Sequence, residues 1–347
     1  MDIELTRDLI GLLKDVGIIV FKIAVVLAAV MGHVAYATYF ERKIIARMQM
    51  RLGPMIVGPY GILQPIADGI KSFFKEDIIP TNADKPIFFM APVFGLMAAL
   101  TTLAVIPFYD GFVISNINIS LLFIFAMSSL GTYGIILAGW ASNSKYPFLG
   151  ALRSSAQVIS YEVSLGLSLV GVMIMAGSLN LTDIVHAQQR YPGGLYIVPQ
   201  IIGFFIFVIS AIAETNRTPF DLPEAETELV GGFFTEYSGM RFALFFMAEY
   251  TGMIIMSSLA VLCFLGGWTL PAFVLNLLPF LGMIPGIVWF LLKLYACIFF
   301  YYWIRATIPR YRYDQLMAIG WKLLIPLALA NIIITALMKL WLTSGRV

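Results

Sequence analysis

Apolar residues run through this chain in long blocks, not in short alternating strands or narrow helical stripes. A helix that crosses a bilayer needs about 20 mostly apolar residues. Eight stretches meet or approach that length: 17–40, 86–108, 120–142, 159–177, 197–213, 242–265, 282–304 and 321–342. The fifth is the shortest. The pattern predicts an all-α polytopic membrane protein with eight transmembrane helices, folded as a single membrane domain over residues 1–347. A further apolar segment, 269–279, holds Pro271 and Pro279 and reads as a loop at the membrane surface. The longer connections, 41–85, 143–158, 214–241 and 305–320, carry most of the polar residues.

The first of these connections has its own periodicity. Ile62, Ile66, Ile70, Phe73 and Phe74 recur at three- and four-residue steps, with Asp68, Lys71 and Lys75 opposite. This is the pattern of an amphipathic helix lying in the membrane plane, either an anchor or one wall of a slot for a lipid-soluble substrate. Gly53-Pro54 and Gly58-Pro59 before it are turn signals. Arg42, Lys43, Arg47 and Arg51 precede them and suit anionic lipid heads or an acidic partner protein.

Composition narrows the class. The 347 residues are 60% hydrophobic and 12% charged, half the charge that coats a soluble domain. Soluble, disordered and fibrous proteins are excluded. The net charge of +2 offers no basic patch for nucleic acid. Fourteen lysines and arginines fall in the loops after the first, third, fifth and seventh helices, and four on the opposite side. The positive-inside rule then puts those loops in the cytoplasm (or matrix) and both termini on the far side. Residues 1–15 mix four acids with Arg7 and Lys14, which is not the basic start of a signal peptide. Cys263 and Cys297 lack ligand spacing, and His33 and His186 stand apart, so no metal site is expected. No nucleophile–base triad and no glycine-rich phosphate loop appear. The chain has no visible catalytic group of its own.

Acidic residues are the candidate chemistry. The 214–241 loop holds Glu214, Asp221, Glu224, Glu226, Glu228 and Glu236 against Arg217 and Arg241. On a helix, Glu224 and Glu228 share a face at i,i+4 and repel. Glu162, Glu249 and Lys293 lie inside apolar helices, where a charge costs about 2.5–3.5 kcal/mol on insertion scales. Such groups usually face a polar cavity or an ion path, and a carboxylate cluster suits proton handling. Lys22, Lys322 and Lys339 lie near helix ends and read as snorkelling residues.

Several motifs resemble one family over nearly the whole chain: Tyr39-Phe40-Glu41-Arg42-Lys43, Arg51-Leu52-Gly53-Pro54, Gln64-Pro65-Ile66-Ala67-Asp68 to Lys71, and Phe74-Lys75-Glu76. They continue with Leu152-Arg153-Ser154-Ser155-Ala156-Gln157 to Tyr161-Glu162, the run from Glu214 to Glu224, and Pro309-Arg310-Tyr311-Arg312-Tyr313-Asp314-Gln315-Leu316. The chain resembles the H subunit of bacterial respiratory complex I, the counterpart of subunit 1 of the mitochondrial enzyme. One departure is Met55-Ile56, where the family usually has Asn-Arg on the lip of its quinone channel.

The resemblance implies a membrane subunit of a proton-pumping NADH:quinone oxidoreductase, with quinone as substrate. FMN and iron–sulfur clusters would belong to partner subunits. The partners would be the peripheral quinone-site subunits, adjacent small membrane subunits and the lipid membrane. Carried over by residue, the quinone tunnel and junction would include Arg42, Asp68, Lys71, Arg217, Asp221, Glu224, Glu226 and Glu228. The proton path would include Glu162, Glu214, Glu249 and Lys293, with Glu41 and Glu76 as further candidates. The location would be the bacterial cytoplasmic membrane, an organelle inner membrane being the alternative. Competing readings are the homologous subunit of a hydrogenase or of a ferredoxin- or F420-linked complex, a stand-alone ion transporter, and a purely structural anchor.

Overall fold

The computed structural model describes residues 2–191, 194–221 and 231–344, and among them the chain is helical, with no strands. The helices are α1 (Asp2–Met48), α2 (Gln64–Phe74), α3 (Lys85–Thr102), α4 (Ser120–Ala141), α5 (Lys145–Ala176) and α6 (Leu181–Arg190). They continue with α7 (Ile201–Glu214), α8 (Gly239–Phe264), α9 (Ala272–Leu277), α10 (Gly286–Thr307), α11 (Tyr313–Ala318) and α12 (Ile325–Ser344). A π-helical turn, Ile319–Leu324, joins the last two.

Seven of these helical stretches are long and apolar enough to cross a membrane, and each falls on an expected span. The remaining one differs. α7 has 14 residues, short of the usual crossing length. Its start is set by Gln200, which is drawn sideways into a buried network: Gln200 Nε2 donates to Thr335 Oγ1 at 2.6 Å, and Asn331 Nδ2 donates to Gln200 Oε1 at 2.8 Å. In hydrocarbon such bonds tie helices together, here α7 to α12.

Helix ends also overrun the expected loops. α1 continues through Glu41 to Met48, α5 begins at Lys145, and α10 runs past Arg305 to Thr307. Of the connection set at 305–320, only 308–312 is non-helical among the described residues. Packing explains the early start of α5. A Cβ on Gly139 would lie 2.3 Å from Ala151 Cβ, and one on Gly150 would lie 2.7 Å from Gly232 Cα. These close approaches hold the first turns of α5 against α4 and the 232–234 turn. α6 was not foreseen. Asn180 caps it by accepting from Thr182 N at 2.9 Å, a signal that the sequence did carry. The segment 269–279 is not wholly loop, since it contains α9.

Three membrane lysines cap carbonyls of other elements. Lys293 Nζ donates to Leu265 O (2.6 Å), Gly267 O (2.9 Å) and Thr269 O (2.6 Å), just past the end of α8. Lys339 donates to Ile174 O in the last turn of α5, and Lys22 to Val113 O at 3.0 Å. The last carbonyls of α5 have no partners within that helix and carry negative partial charge, so the Lys339 ammonium both satisfies and neutralises them.

Candidate functional site

A charged recess, a cavity of about 810 Å³, lies where α1, α2, α8 and α10 meet. α1 supplies Glu41 and Arg42, α2 supplies Asp68 and Lys71, α8 supplies Tyr250 and α10 supplies Arg305. The apolar edge of α2 (Ile66, Ile70, Phe73 and Phe74) is exposed. Its polar edge is tied to α1: Arg42 Nη1 lies 3.0 Å from Asp68 Oδ2, and Gln64 Nε2 donates to Asp68 Oδ1 at 2.9 Å. Gly239, in the left-handed region at φ 57°, lets the start of α8 approach α2: a Cβ there would meet Lys75 O at 3.2 Å.

Glu41 forms the floor of the cavity and is only 4% exposed. Tyr250 Oη donates to its Oε2 at 2.6 Å. Arg217 Nη1 approaches its Oε1 at 3.5 Å, and Arg305 Nη1 bonds the same oxygen. The Arg217 guanidinium also lies 4.1 Å over the Tyr250 ring. Its Nε and Nη2 are buried without a hydrogen-bond partner. Burial opposes the charge on Arg217, but the electrostatics of Tyr250, Glu41 and Glu249 outweigh it and raise its pKa above the ordinary arginine value. Tyr250 and Arg305 were not among the site residues expected, although Tyr250 follows Glu249 directly and Arg305 borders the seventh apolar stretch. Sequence spacing does not show that they converge on Glu41 from 209 and 264 residues away.

Arg217 sits in segment 215–221, which is clamped from below. Gln157 Nε2 donates to Ala213 O at 2.8 Å and Phe220 O at 2.7 Å. Asn216 takes a left-handed φ of 48°, which asparagine tolerates better than most residues. Phe220 packs between Tyr161 (5.7 Å) and Tyr311 (5.6 Å). Asp221 is 3% exposed and faces Arg310 Nη2 at 3.3 Å; it does not line the charged cavity. Glu76 also lies outside it: the backbone carbonyl of Glu76 accepts from Ser238 Oγ at 3.1 Å. Its neighbour Asp77 pairs with Arg241 at 2.8 Å. Glu224, Glu226 and Glu228 lie outside the described residues. At the departing turn, Lys43 Nζ reaches Met55 Sδ at 2.9 Å and Ile56 is 97% exposed.

A second, smaller recess of about 140 Å³ lies deeper, between α3, α4 and α8. Glu214, Thr215, Asn216 and Glu249 line it together with Ser128 and Thr132. Glu162 reaches the same region from α5, accepting from Ser128 Oγ at 2.9 Å and Ser129 Oγ at 2.5 Å. Glu214 Oε2 is buried without a partner, and Glu214 and Glu162 interact electrostatically. An unpartnered buried oxygen beside the hydroxyls of Ser128 and Thr132 in a largely apolar recess marks a place for water. The three acids read as a proton path are thus brought together. Lys293 does not join them: its ammonium is held by three backbone carbonyls beyond α8. Arg217 links the two recesses, pairing with Glu41 on one side and interacting with Glu249 on the other. Among the described residues, no group of three or more His, Cys, Asp or Glu side chains could hold a metal ion.

The family described as NADH dehydrogenase matches residues 21–336. The chain is 53% identical over 326 residues to the H subunit of the NADH-quinone oxidoreductase of Rhodospirillum rubrum, covering 94% of this chain and 95% of that one. It is 54% identical over 321 residues to the protein of the same name from Rickettsia typhi, with 92% and 93% covered. For the Thermomicrobium roseum protein of that name the identity is 52% over 333 residues, with 91% and 94% covered. With its seven apolar helices and charged recess, the chain belongs to the NADH dehydrogenase family, as an H-type membrane subunit of the NADH-quinone oxidoreductase enzyme complex.

Proposed function

We propose that this subunit admits quinone from the bilayer into the charged cavity and passes the electrostatic effect of its reduction to Glu214, Glu249 and Glu162. The observation that carries this reading is the position of Arg217, shared between Glu41 at the floor of one recess and Glu249 in the other. Reducing a quinone builds negative charge on its oxygens and takes up protons. Nearby fixed cations feel that charge, and carboxylates beyond them change their proton occupancy. Two recesses biased by one guanidinium form a single coupled equilibrium.

In this account α7, with residues 197–200, completes an eighth crossing of one membrane domain, and α2 lies in the interface with Ile66, Ile70, Phe73 and Phe74 toward lipid. The 14 loop lysines and arginines face the cytoplasm, both termini face the periplasm, and the host membrane is the bacterial cytoplasmic one. Arg42, Asp68 and Lys71 line the mouth of the quinone path. Glu224, Glu226 and Glu228, with Asp221, border its junction with the peripheral quinone-site subunits, and small membrane subunits cover other faces. FMN and iron–sulfur clusters reside in partners, and this chain contributes the access path and the carboxylates.

Purification through a tag on this chain in mild detergent tests the reading. A large particle carrying iron and reducing quinone with NADH is expected. A small, iron-free particle without quinone turnover would overturn it.

A further inference from the structure

The seam between α1, α8 and α10 does not end at the charged cavity. On α1, Glu41, Ala37, His33, Val30 and Val26 follow one face at three- and four-residue steps. At Ala37 the seam is closed: Tyr302 Oη donates to its carbonyl at 3.4 Å. Past that closure it opens again into a separate cavity of about 620 Å³. Val26, Val30 and His33 of α1, Ile254 of α8, and Leu291 and Tyr295 of α10 line it. Leu291 and Tyr295 are exposed on the outer, apolar surface of the bundle, so its mouth opens on that surface.

The walls are mostly apolar; their polar side chains are Tyr109 and a facing pair, His33 and Tyr295. His33 Nδ1 and Tyr295 Oη are 3.2 Å apart, with ring centroids at 5.3 Å. Placing an imidazole and a phenol in hydrocarbon costs several kcal/mol unless both are hydrogen-bonded. Their mutual bond leaves each with further capacity, one ring nitrogen and part of the phenol oxygen. The pair lies about 12 Å along the helix from Glu41, well below the headgroup level. A phospholipid keeps its charged head at the interface and would bring only chain carbon to this depth. An uncharged ring with oxygen substituents can sit here. The volume is in the range of small-ligand pockets, roughly 300–1,000 Å³.

We propose that this cavity is a second quinone-type site. In it the His33–Tyr295 pair hydrogen-bonds a carbonyl or hydroxyl oxygen of the ring, and the aliphatic walls hold the isoprenoid chain. It is a binding site with no redox step of its own, separated from the charged cavity by the Tyr302–Ala37 closure. The proposal rests on the reading that the charged cavity takes quinone, and the experiment separates the two.

The intact enzyme complex is placed in nanodiscs of phosphatidylethanolamine and phosphatidylglycerol. It is then photolabelled with an aryl-azide benzoquinone bearing a short isoprenoid chain, and labelled peptides are mapped by mass spectrometry. Label is expected in two separate sets, one around Glu41 and Tyr250 and one around His33 and Tyr295, both displaced by excess unlabelled quinone. Tyr295→Phe and Leu291→Trp should each lower the second set at least fivefold, while label around Glu41 reports that the complex is assembled. Label around Glu41 without label around His33 would overturn this proposal and leave the proposed function standing. Label around His33 displaced by added phospholipid but not by quinone would assign the cavity to an acyl chain and overturn it too. Absence of label around Glu41 would overturn the proposed function itself.

Discussion

Replacing Glu41 with alanine is the most informative perturbation of the charged cavity. The carboxylate is buried, and Arg217 pairs with it at 3.5 Å. At an effective dielectric of about 20 that separation corresponds to about 5 kcal/mol of attraction. Most of it offsets desolvation of the two charges in the native protein. Removing one partner of a buried pair leaves the other uncompensated, at a cost of about 3–5 kcal/mol. Arg217 is poorly placed to recover, because its Nε and Nη2 already lack partners. Arg305 is about one-third exposed and can turn to water, so little is added on its account. Tyr250→Phe removes one hydrogen bond to a charged group, worth about 1.5–3 kcal/mol. The assay is the half-life of NADH–quinone activity at a fixed elevated temperature, with the assembled enzyme in nanodiscs. A loss of about 3 kcal/mol expressed in the barrier shortens that half-life by about 150-fold. Glu41→Ala should therefore be much less durable than Tyr250→Phe. Combining Glu41→Ala with Arg217→Met should recover much of the loss, since no charge is then left unpaired. A Glu41→Ala half-life within about threefold of wild type would refute the reasoning.

Three further outcomes follow from the same geometry. Asp68→Asn breaks an exposed pair at 3.0 Å, so thermal half-life should change by less than about 1 kcal/mol equivalent, while KM for quinone rises severalfold; an unchanged KM counts against Asp68 at the path. Lys293→Met removes the donor to three carbonyls beyond α8 and should shorten the half-life while leaving protons moved per quinone at the wild-type value; a lower ratio with normal durability would place Lys293 in the proton path instead. Burial, helped by Tyr191, pushes the Tyr196 phenol up to about 12, so its contribution is intact below the unfolded value near 10 and lost as pH rises from 10 to 12, at most about 3 kcal/mol. Wild type should lose durability relative to Tyr196→Phe in that window and not below it, measured as half-life against pH.

Much of this was legible in the sequence because hydrocarbon enforces a simple code. Long apolar runs place the apolar helices, and the α2 pattern stands out because its apolar and polar residues fall on opposite edges of the helix. Glu162, Glu214 and Glu249 were legible for the same reason, since acids in apolar helices need a shared polar recess. Lys293 obeys the same rule, but its ammonium meets backbone carbonyls past the end of α8 and not the acids. Carbonyls awaiting a donor leave no trace in the sequence. The extension of α1 through Glu41 was hidden too, because charged residues there look like the start of a loop. Tyr250 and Arg305 were missed since their partnership with Glu41 depends on how α1, α8 and α10 are set against one another.

The central claim is that the charged cavity and the buried acids act as one coupled system. Its most direct test is Glu214→Gln in the assembled enzyme, reconstituted in proteoliposomes, with protons moved per quinone reduced measured against wild type. A clear fall in that ratio, or quinone reduction slowed together with pumping, is the expected result. Wild-type turnover at the wild-type ratio would contradict the account.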